Sequence, residues 1–173
     1  MSWQAFEGIA EEYDKWYKEN AEIYEKELEC VKEAIKGTKL LDVGSGTGAF
    51  CLKGAIALDP SLSMLKVARK KGCEAVMGIA EMLPFRSKAF DNAYFVTSLC
   101  FVNDRDMAIS EAKRVAKEVV ACILVKDSEL VKKYEEKGKR GHRIYKYAKF
   151  MKPEELGRII CKPFDFFACI KIS

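Results

Sequence analysis

The sequence predicts a single α/β domain in which a mostly parallel sheet carries helices on both faces. Three observations support this fold class. Short apolar runs suited to strands alternate with segments of helical periodicity. Three closely spaced glycines follow the first apolar run, and the length of 173 residues suits one domain. A content of 49% hydrophobic and 32% charged residues excludes a disordered or collagenous chain.

The predicted elements are as follows. Residues 2–36 carry apolar side chains at a spacing of three to four, which predicts an N-terminal helix ended by Gly37. Strands are predicted at 39–43, 55–58, 74–78, 91–97 and 119–125, with a final apolar run at 164–172. Helices are predicted at 61–71, with Ser61 as N-cap, and at 105–117, 128–137 and 153–160. The whole chain, 1–173, is then one domain, with an N-terminal helical lid at 1–36 and an α/β core at 37–173.

Two elements are expected to be short. Only two helical turns fit between Gly48 and Ala55, so the first crossover helix is predicted to be shortened. The chain ends soon after Phe164, which predicts an abbreviated C-terminal hairpin and leaves room for a homodimer over an exposed sheet edge.

Charge, apolar runs and cysteine content limit the partners and the cellular location that we expect. A net charge of +4 does not by itself call for nucleic acid or a membrane. The longest apolar run, 119–125, is far shorter than the roughly 20 residues of a spanning helix. The acidic N-terminus lacks the layout of a signal peptide, so a cytoplasmic location is expected. With 7 Cys, an odd number, and 1 His, neither a disulfide framework nor a metal site is expected, and the cysteines are predicted to be small core residues.

The glycine loop gives the first indication of a ligand. Gly44, Gly46 and Gly48 follow the first strand, where glycines allow a sharp turn and free N–H groups favour an anion. The spacing is G-x-G-x-G, which differs from the dinucleotide fingerprint G-x-G-x-x-G. Asp42 precedes the loop and would repel a pyrophosphate but attract an ammonium group. The ligand is therefore expected to carry a cation here.

Asp59 ends the second strand, at the position from which an acidic residue accepts hydrogen bonds from ribose hydroxyls. A nucleoside with an amino-acid arm fits Asp42 and Asp59 better than NAD does, because it carries an ammonium group as well as ribose hydroxyls. S-adenosylmethionine is such a molecule.

Four ordered blocks strengthen this interpretation, at 41–48, at 57–61 with Met64 and Leu65 following, at 78–85 and at 90–98. With them the chain resembles the class I S-adenosylmethionine-dependent methyltransferases, in particular the small-molecule group of the ubiquinone/menaquinone-biosynthesis type. The resemblance spans nearly the whole chain and implies a doubly wound, Rossmann-like fold.

The resemblance also implies roles for individual residues. Gly44, Ser45 and Gly46 would line the methionine arm, Asp42 would anchor its ammonium, and Asp59, followed by Pro60, would take the ribose. Ala80, Glu81 and Met82 would border the adenine, and Thr97 would lie near the transferable methyl. Tyr13 and Tyr17 would belong to a lid helix over the cofactor.

The predicted function is transfer of a methyl group from S-adenosyl-L-methionine to an N, O or S acceptor on a small molecule, mainly by alignment of the reactants. No catalytic base is assigned. The basic segment 126–152 could hold an anionic substrate or RNA, but a solvated surface in a Lys/Glu-rich, heat-adapted chain is favoured. A non-catalytic cofactor-binding scaffold and an NAD-linked oxidoreductase remain as alternatives.

Overall fold

The computed structural model describes residues 2–173, and this part of the chain contains one sheet. Its strands are β1 Leu40–Val43, β2 Ala55–Asp59, β3 Glu74–Met77, β4 Phe90–Val96, β5 Ala116–Leu124, β6 Gly157–Phe164 and β7 Phe167–Ile172. They lie in the order β3-β2-β1-β4-β5-β7-β6. The first five pair in parallel, and β7 runs antiparallel to both of its neighbours. The strand order reverses between β1 and β4, where ligands bind in sheets of this kind. The predicted fold class is confirmed.

The helices are α1 Ala10–Glu19, α2 Ala21–Ala34, α3 Leu62–Lys70, α4 Arg105–Val115 and α5 Glu129–Lys139. Side-chain caps start three of them. Ser61, Asp104 and Ser128 each accept a hydrogen bond from the backbone N–H three residues later, at 3.3, 3.0 and 3.4 Å. These caps fix where α3, α4 and α5 begin, and Ser61 is the N-cap predicted from the sequence.

The N-terminal region is not the single helix that the periodicity predicts. A 3₁₀ turn at Ser2–Phe6, then α1, then α2 replace it. Gly8, at φ +80°, separates the turn from α1, and Asn20 closes α1 by donating its side-chain amide to the carbonyl of Trp16 at 2.9 Å. The apolar stripe continues across these breaks, which is why periodicity alone did not show them.

The sheet is covered on both faces. On one face, Val31 and Ala34 of α2 are buried against Tyr94 and Phe167. On the other face, a second apolar cluster joins α4 and α5 to the sheet; its members include Ala108, Ala112 and Val131. The two clusters together form the core.

The connection from β1 to β2 contains turns and no helix, so the predicted shortening of the first crossover helix is confirmed. The hydroxyl of Tyr94, fully buried in β4, donates to the carbonyl of Phe50 at 2.9 Å and accepts from the N–H of Leu52 at 3.1 Å. The Tyr24 hydroxyl of α2 donates to the carbonyl of Ala49. Side chains from the core and from α2 thus hold this connection in place.

The C-terminal prediction is wrong in two respects. The helix predicted at 153–160 is a short 3₁₀ turn, Pro153–Glu155, followed by β6. The hairpin is complete, with strands of 8 and 6 residues joined by a two-residue turn. Gly157 permits the close strand pairing, because a Cβ there would lie 2.1 Å from the carbonyl oxygen of Lys171.

The expectation of no disulfides is also wrong. Cys30 of α2 is bonded to Cys161 of β6, and Cys122 of β5 is bonded to Cys169 of β7. The second pair lies directly opposite in the antiparallel register. Strand pairing and the seating of α2 on the hairpin bring these thiols together, and neither is visible from cysteine spacing.

No helix in the described residues is both long and apolar enough to cross a membrane. The cytoplasmic location and the homodimer stay predictions.

Candidate cofactor site

A cavity opens at the carboxyl ends of β1, β2 and β4, where the strand order reverses. All of the predicted site residues except Met82 line it: Asp42, Gly44, Ser45, Gly46, Asp59, Pro60, Ala80, Glu81, Thr97, Tyr13 and Tyr17. The side chain of Met82 is 73% exposed, and Ile79 lines the cavity from the same loop. Five separate stretches of the chain therefore converge on one cavity.

The glycine loop presents an open surface to this cavity. Gly44 has φ +73°, and a Cβ on it would lie 2.5 Å from Cβ of Ser98. The Ser98 hydroxyl donates to the carbonyl of Val43 at 2.7 Å, which brings the end of β4 close to the loop. Gly46, at φ +53°, has open space where a Cβ would stand. Glycine is needed at the first position for close packing, and at the second it leaves room for a ligand.

Three N–H groups of the glycine loop are engaged within the protein. Gly44 and Ser45 donate their N–H groups to the carbonyl of Leu58 at 2.8 and 2.9 Å. Gly46 donates its N–H to Oδ2 of Asp59 at 2.9 Å. These donors are used to join the loop to the end of β2, so they do not form a pyrophosphate site.

Asp42 is the most perturbed acid of the cavity. Its side chain is 1% exposed, and Oδ2 has no hydrogen-bond partner among the described residues. Burial, with a smaller contribution from the negative charge of Asp59, raises the pKa of Asp42 to about 8. A cation placed beside this carboxyl would compensate for its lost hydration.

Asp59 has a structural role that the sequence did not show. Besides the bond from Gly46, its Oδ1 accepts the N–H of Ser61 at 2.9 Å. Burial raises the pKa of Asp59, although these two bonds oppose the shift. A carboxylate offers about four acceptor positions, so two remain for a ligand.

Tyr13, Tyr17 and Thr97 form a hydroxyl cluster on the opposite wall. The rings of Tyr13 and Tyr17 meet edge to face with centroids 5.8 Å apart, and burial raises the pKa of both tyrosines. Thr97 has φ +52°, an uncommon conformation for a β-branched residue. Strained residues persist where the surroundings hold them and cluster at functional sites.

Hydrogen bonds and an ion pair from residues of α1 and α4 hold the walls of the cavity in place. Asp14 accepts a hydrogen bond from the hydroxyl of Thr47 at 3.0 Å and pairs with Lys71, which follows α3. Arg114 donates to the carbonyls of Leu83 and Phe85 at 3.0 and 2.8 Å, which fixes the loop that carries Ala80 and Glu81. These positioning residues lie outside the four sequence blocks, and no local pattern marks them.

Several cavity residues were missed by the sequence analysis. They are Ser2, Trp3, Phe6, Phe50, Phe101, Val102 and Asn103 among others. Most are apolar or aromatic, and such residues in a single sequence are indistinguishable from core. The Ser2 hydroxyl donates to the carbonyl of Phe101, so the N-terminal turn is attached to the segment that follows β4.

Comparison with known proteins agrees with this geometry. Residues 41–124 match a family described as a methyltransferase domain. An uncharacterized protein of Methanocaldococcus jannaschii is 39% identical over 156 residues, covering 87% of this chain and 76% of its own length. A demethylmenaquinone methyltransferase of Streptomyces avermitilis is 32% identical over 132 residues, covering 68% of this chain and 57% of its own length.

Among solved structures, one from Thermotoga maritima has a TM-score of 0.84 and 29% identity, covering 100% of this chain and 94% of its own. It is described as an S-adenosylmethionine-dependent methyltransferase, "possible histamine N-methyltransferase". The chain belongs to the family of S-adenosylmethionine-dependent methyltransferases, and S-adenosylmethionine is the cofactor of that family.

The residues of the cavity fit this cofactor. The orphaned Oδ2 of Asp42 suits an ammonium group, and the hydroxyl of Ser45 is likewise buried without a partner among the described residues. The space at Gly46 and the free acceptor positions of Asp59 suit a nucleoside. The engaged N–H groups of the loop disfavour the alternative of an NAD-linked enzyme.

Proposed function

We propose that the protein transfers a methyl group from S-adenosylmethionine to an N, O or S atom of a small molecule, chiefly by aligning the reactants. One observation carries the proposal: the cavity combines an unpartnered buried carboxyl, Asp42, with an open glycine loop at the switch point of the sheet. The aromatic wall formed by the N-terminal turn and α1 supplies the space and shape for an acceptor.

In this proposal each group has a defined task. Asp42 holds the ammonium, Asp59 accepts from the ribose hydroxyls, and Glu81 with Ala80 borders the adenine. Thr97 faces the methionine arm, and the clustered hydroxyls of Tyr13 and Tyr17 shield it from water. When bound, the cofactor supplies a methyl group on an already activated sulfonium, so the protein needs mainly to bring the nucleophile into line.

A thermal-melt comparison tests this function. The protein alone is compared with the protein plus S-adenosylmethionine, S-adenosylhomocysteine or NAD. A ligand at about 100 times its Kd adds roughly 2.7 kcal/mol, or about 5–10 °C here. We expect a shift with the first two ligands. A shift with NAD alone would overturn the proposal.

Turnover distinguishes an enzyme from a cofactor-binding scaffold. We expect S-adenosylhomocysteine to accumulate when a suitable acceptor is present. Tight cofactor binding with no methyl consumption across a broad acceptor panel would favour the scaffold.

A further inference from the structure

The part of the cavity beyond the cofactor residues is an aromatic enclosure. Trp3, Phe6, Tyr13 and Phe101 line it. The ring of Phe6 meets those of Phe101 and Tyr13 edge to face, with centroids 5.1 and 6.1 Å apart. Edge-to-face contacts fix the rings as flat walls, which suits a flat acceptor.

One polar group in this enclosure is unused. Nε1 of Trp3 is buried and has no hydrogen-bond partner among the described residues, while its side chain lines the cavity. A buried N–H without a partner is costly, and most buried polar groups are paired. A ligand atom that accepts a hydrogen bond would satisfy it.

The charges of the cavity restrict the acceptor further. Its charged side chains are the carboxyl groups of Asp42, Asp59 and Glu81, and among the described residues no lysine, arginine or histidine lines it. An anionic acceptor, such as a carboxylate or a thiolate, would be repelled by these carboxyl groups, and the lining offers no cationic side chain to hold it, so only the charge of the cofactor itself would attract it.

A neutral nitrogen acceptor suits these surroundings. Methylation moves the positive charge from sulfur to nitrogen, so a cation remains beside the carboxylates throughout the reaction. A hydroxyl acceptor would need a base. The three carboxyl groups are assigned to the cofactor in this proposal, and burial raises the pKa of Tyr13 and Tyr17, so that their hydroxyls stay protonated.

We propose that the acceptor is a flat aromatic or heteroaromatic amine, uncharged at neutral pH, whose ring packs against Phe6 and Phe101 and whose hydrogen-bond acceptor faces Nε1 of Trp3. This inference rests on the proposed methyltransferase function. The nitrogen lone pair forms the new bond to the methyl carbon as the carbon–sulfur bond breaks, and its electron pair stays on sulfur. The proton of the resulting ammonium leaves to solvent.

A matched panel of single-ring compounds tests the acceptor class. Aniline, phenol, thiophenol and benzoate share one ring and differ in the attached group. We expect methylation of aniline at least tenfold faster than that of the other three, measured by product mass. Faster methylation of benzoate or thiophenol would overturn the proposal.

The role of Trp3 is tested with 3-aminopyridine, whose ring nitrogen can accept a hydrogen bond, against aniline, which lacks it. Trp3→Phe keeps an aromatic ring and removes the N–H. In Trp3→Phe we expect KM for 3-aminopyridine to rise about fivefold to tenfold, because one hydrogen bond to the ligand is lost. KM for aniline should change little. Trp16→Phe, the same substitution outside the cavity lining, is the control and should change neither KM.

Binding is measured independently of turnover. In the Trp16→Phe variant the remaining tryptophan is Trp3, and 3-aminopyridine should quench its fluorescence in the presence of S-adenosylhomocysteine. If the cofactor binds but no amine quenches or is methylated, the acceptor class is wrong and the methyltransferase function stands. If the cofactor itself does not bind, the proposed function fails first.

Discussion

The Asp42 carboxyl is predicted to lower the stability of the ligand-free protein in exchange for cofactor binding, and Asp42→Asn tests this. The folded protein keeps a proton on Asp42 up to about pH 8, whereas the unfolded chain releases it near pH 3.8. Since the folded state binds more protons between these values, stability falls as the pH rises through this window. Between pH 5 and pH 8 the free energy of unfolding should fall by about 4 kcal/mol, since each pH unit contributes about 1.4 kcal/mol.

The asparagine side chain of Asp42→Asn has nearly the same shape as aspartate but cannot ionise. The variant should therefore not show this loss of stability between pH 5 and pH 8. At pH 8 the ligand-free variant should melt above the wild type by about 8–16 °C, and at pH 5 the difference should be much smaller. The same variant should bind S-adenosylmethionine about 10-fold to 150-fold more weakly, the loss of a charged hydrogen bond.

The assay is a series of thermal melts from pH 5 to pH 8 with and without ligand, followed by titration calorimetry. Glu27→Gln is the matched control. Burial raises the pKa of Glu27 to about 7, but the residue lies in α2 outside the cavity lining. That variant should gain stability at high pH and keep its cofactor affinity. If Asp42→Asn loses as much stability as the wild type between pH 5 and 8, the reasoning is refuted.

Three further outcomes are expected. Asp59→Ala should weaken S-adenosylmethionine binding by about 1.5–3 kcal/mol, because charged hydrogen bonds are lost; calorimetry showing an unchanged Kd would contradict this placement. Tyr94→Phe should lower the unfolding free energy by about 1–3 kcal/mol, since the Phe50 carbonyl and the Leu52 N–H lose their partner, and denaturant melts measure it. Cys30→Ser should lower stability by about 2–4 kcal/mol because the Cys30–Cys161 bond closes a long loop, and a Tm equal to that of the wild type under oxidising conditions would contradict this.

The sequence was sufficient for the elements whose signals are local. The strand–glycine–strand block and the N-cap Ser61 can be recognised from neighbouring residues alone, so the parallel half of the sheet and the cavity residues at the strand ends were predicted. The 153–160 segment was misread because Pro153 followed by two glutamates is typical of a helix start. Pairing with β7 overrides that local preference, and pairing is a property of distant residues.

The same reason explains what was missed in the site. Phe6 and Phe101 are in contact only because the N-terminal turn folds back over the segment after β4. The direction of the loop N–H groups depends on the position of β2, which the glycine spacing does not specify. Met82 follows Glu81 in sequence, but it is largely exposed and does not line the cavity.

The absence of the first crossover helix gives α2 a structural role in the core. In the described structure α2 covers the sheet beside the connection that has only turns, and it is bonded to the hairpin through Cys30, so it belongs to the core. From the segment before α2, residues Ser2, Trp3, Phe6, Tyr13 and Tyr17 line the cavity. The two N-terminal pieces would respond differently to removal. A protein shortened to begin at residue 21 would keep its folded body and lose the acceptor enclosure, whereas one beginning at residue 36 would expose a bare apolar sheet face and aggregate.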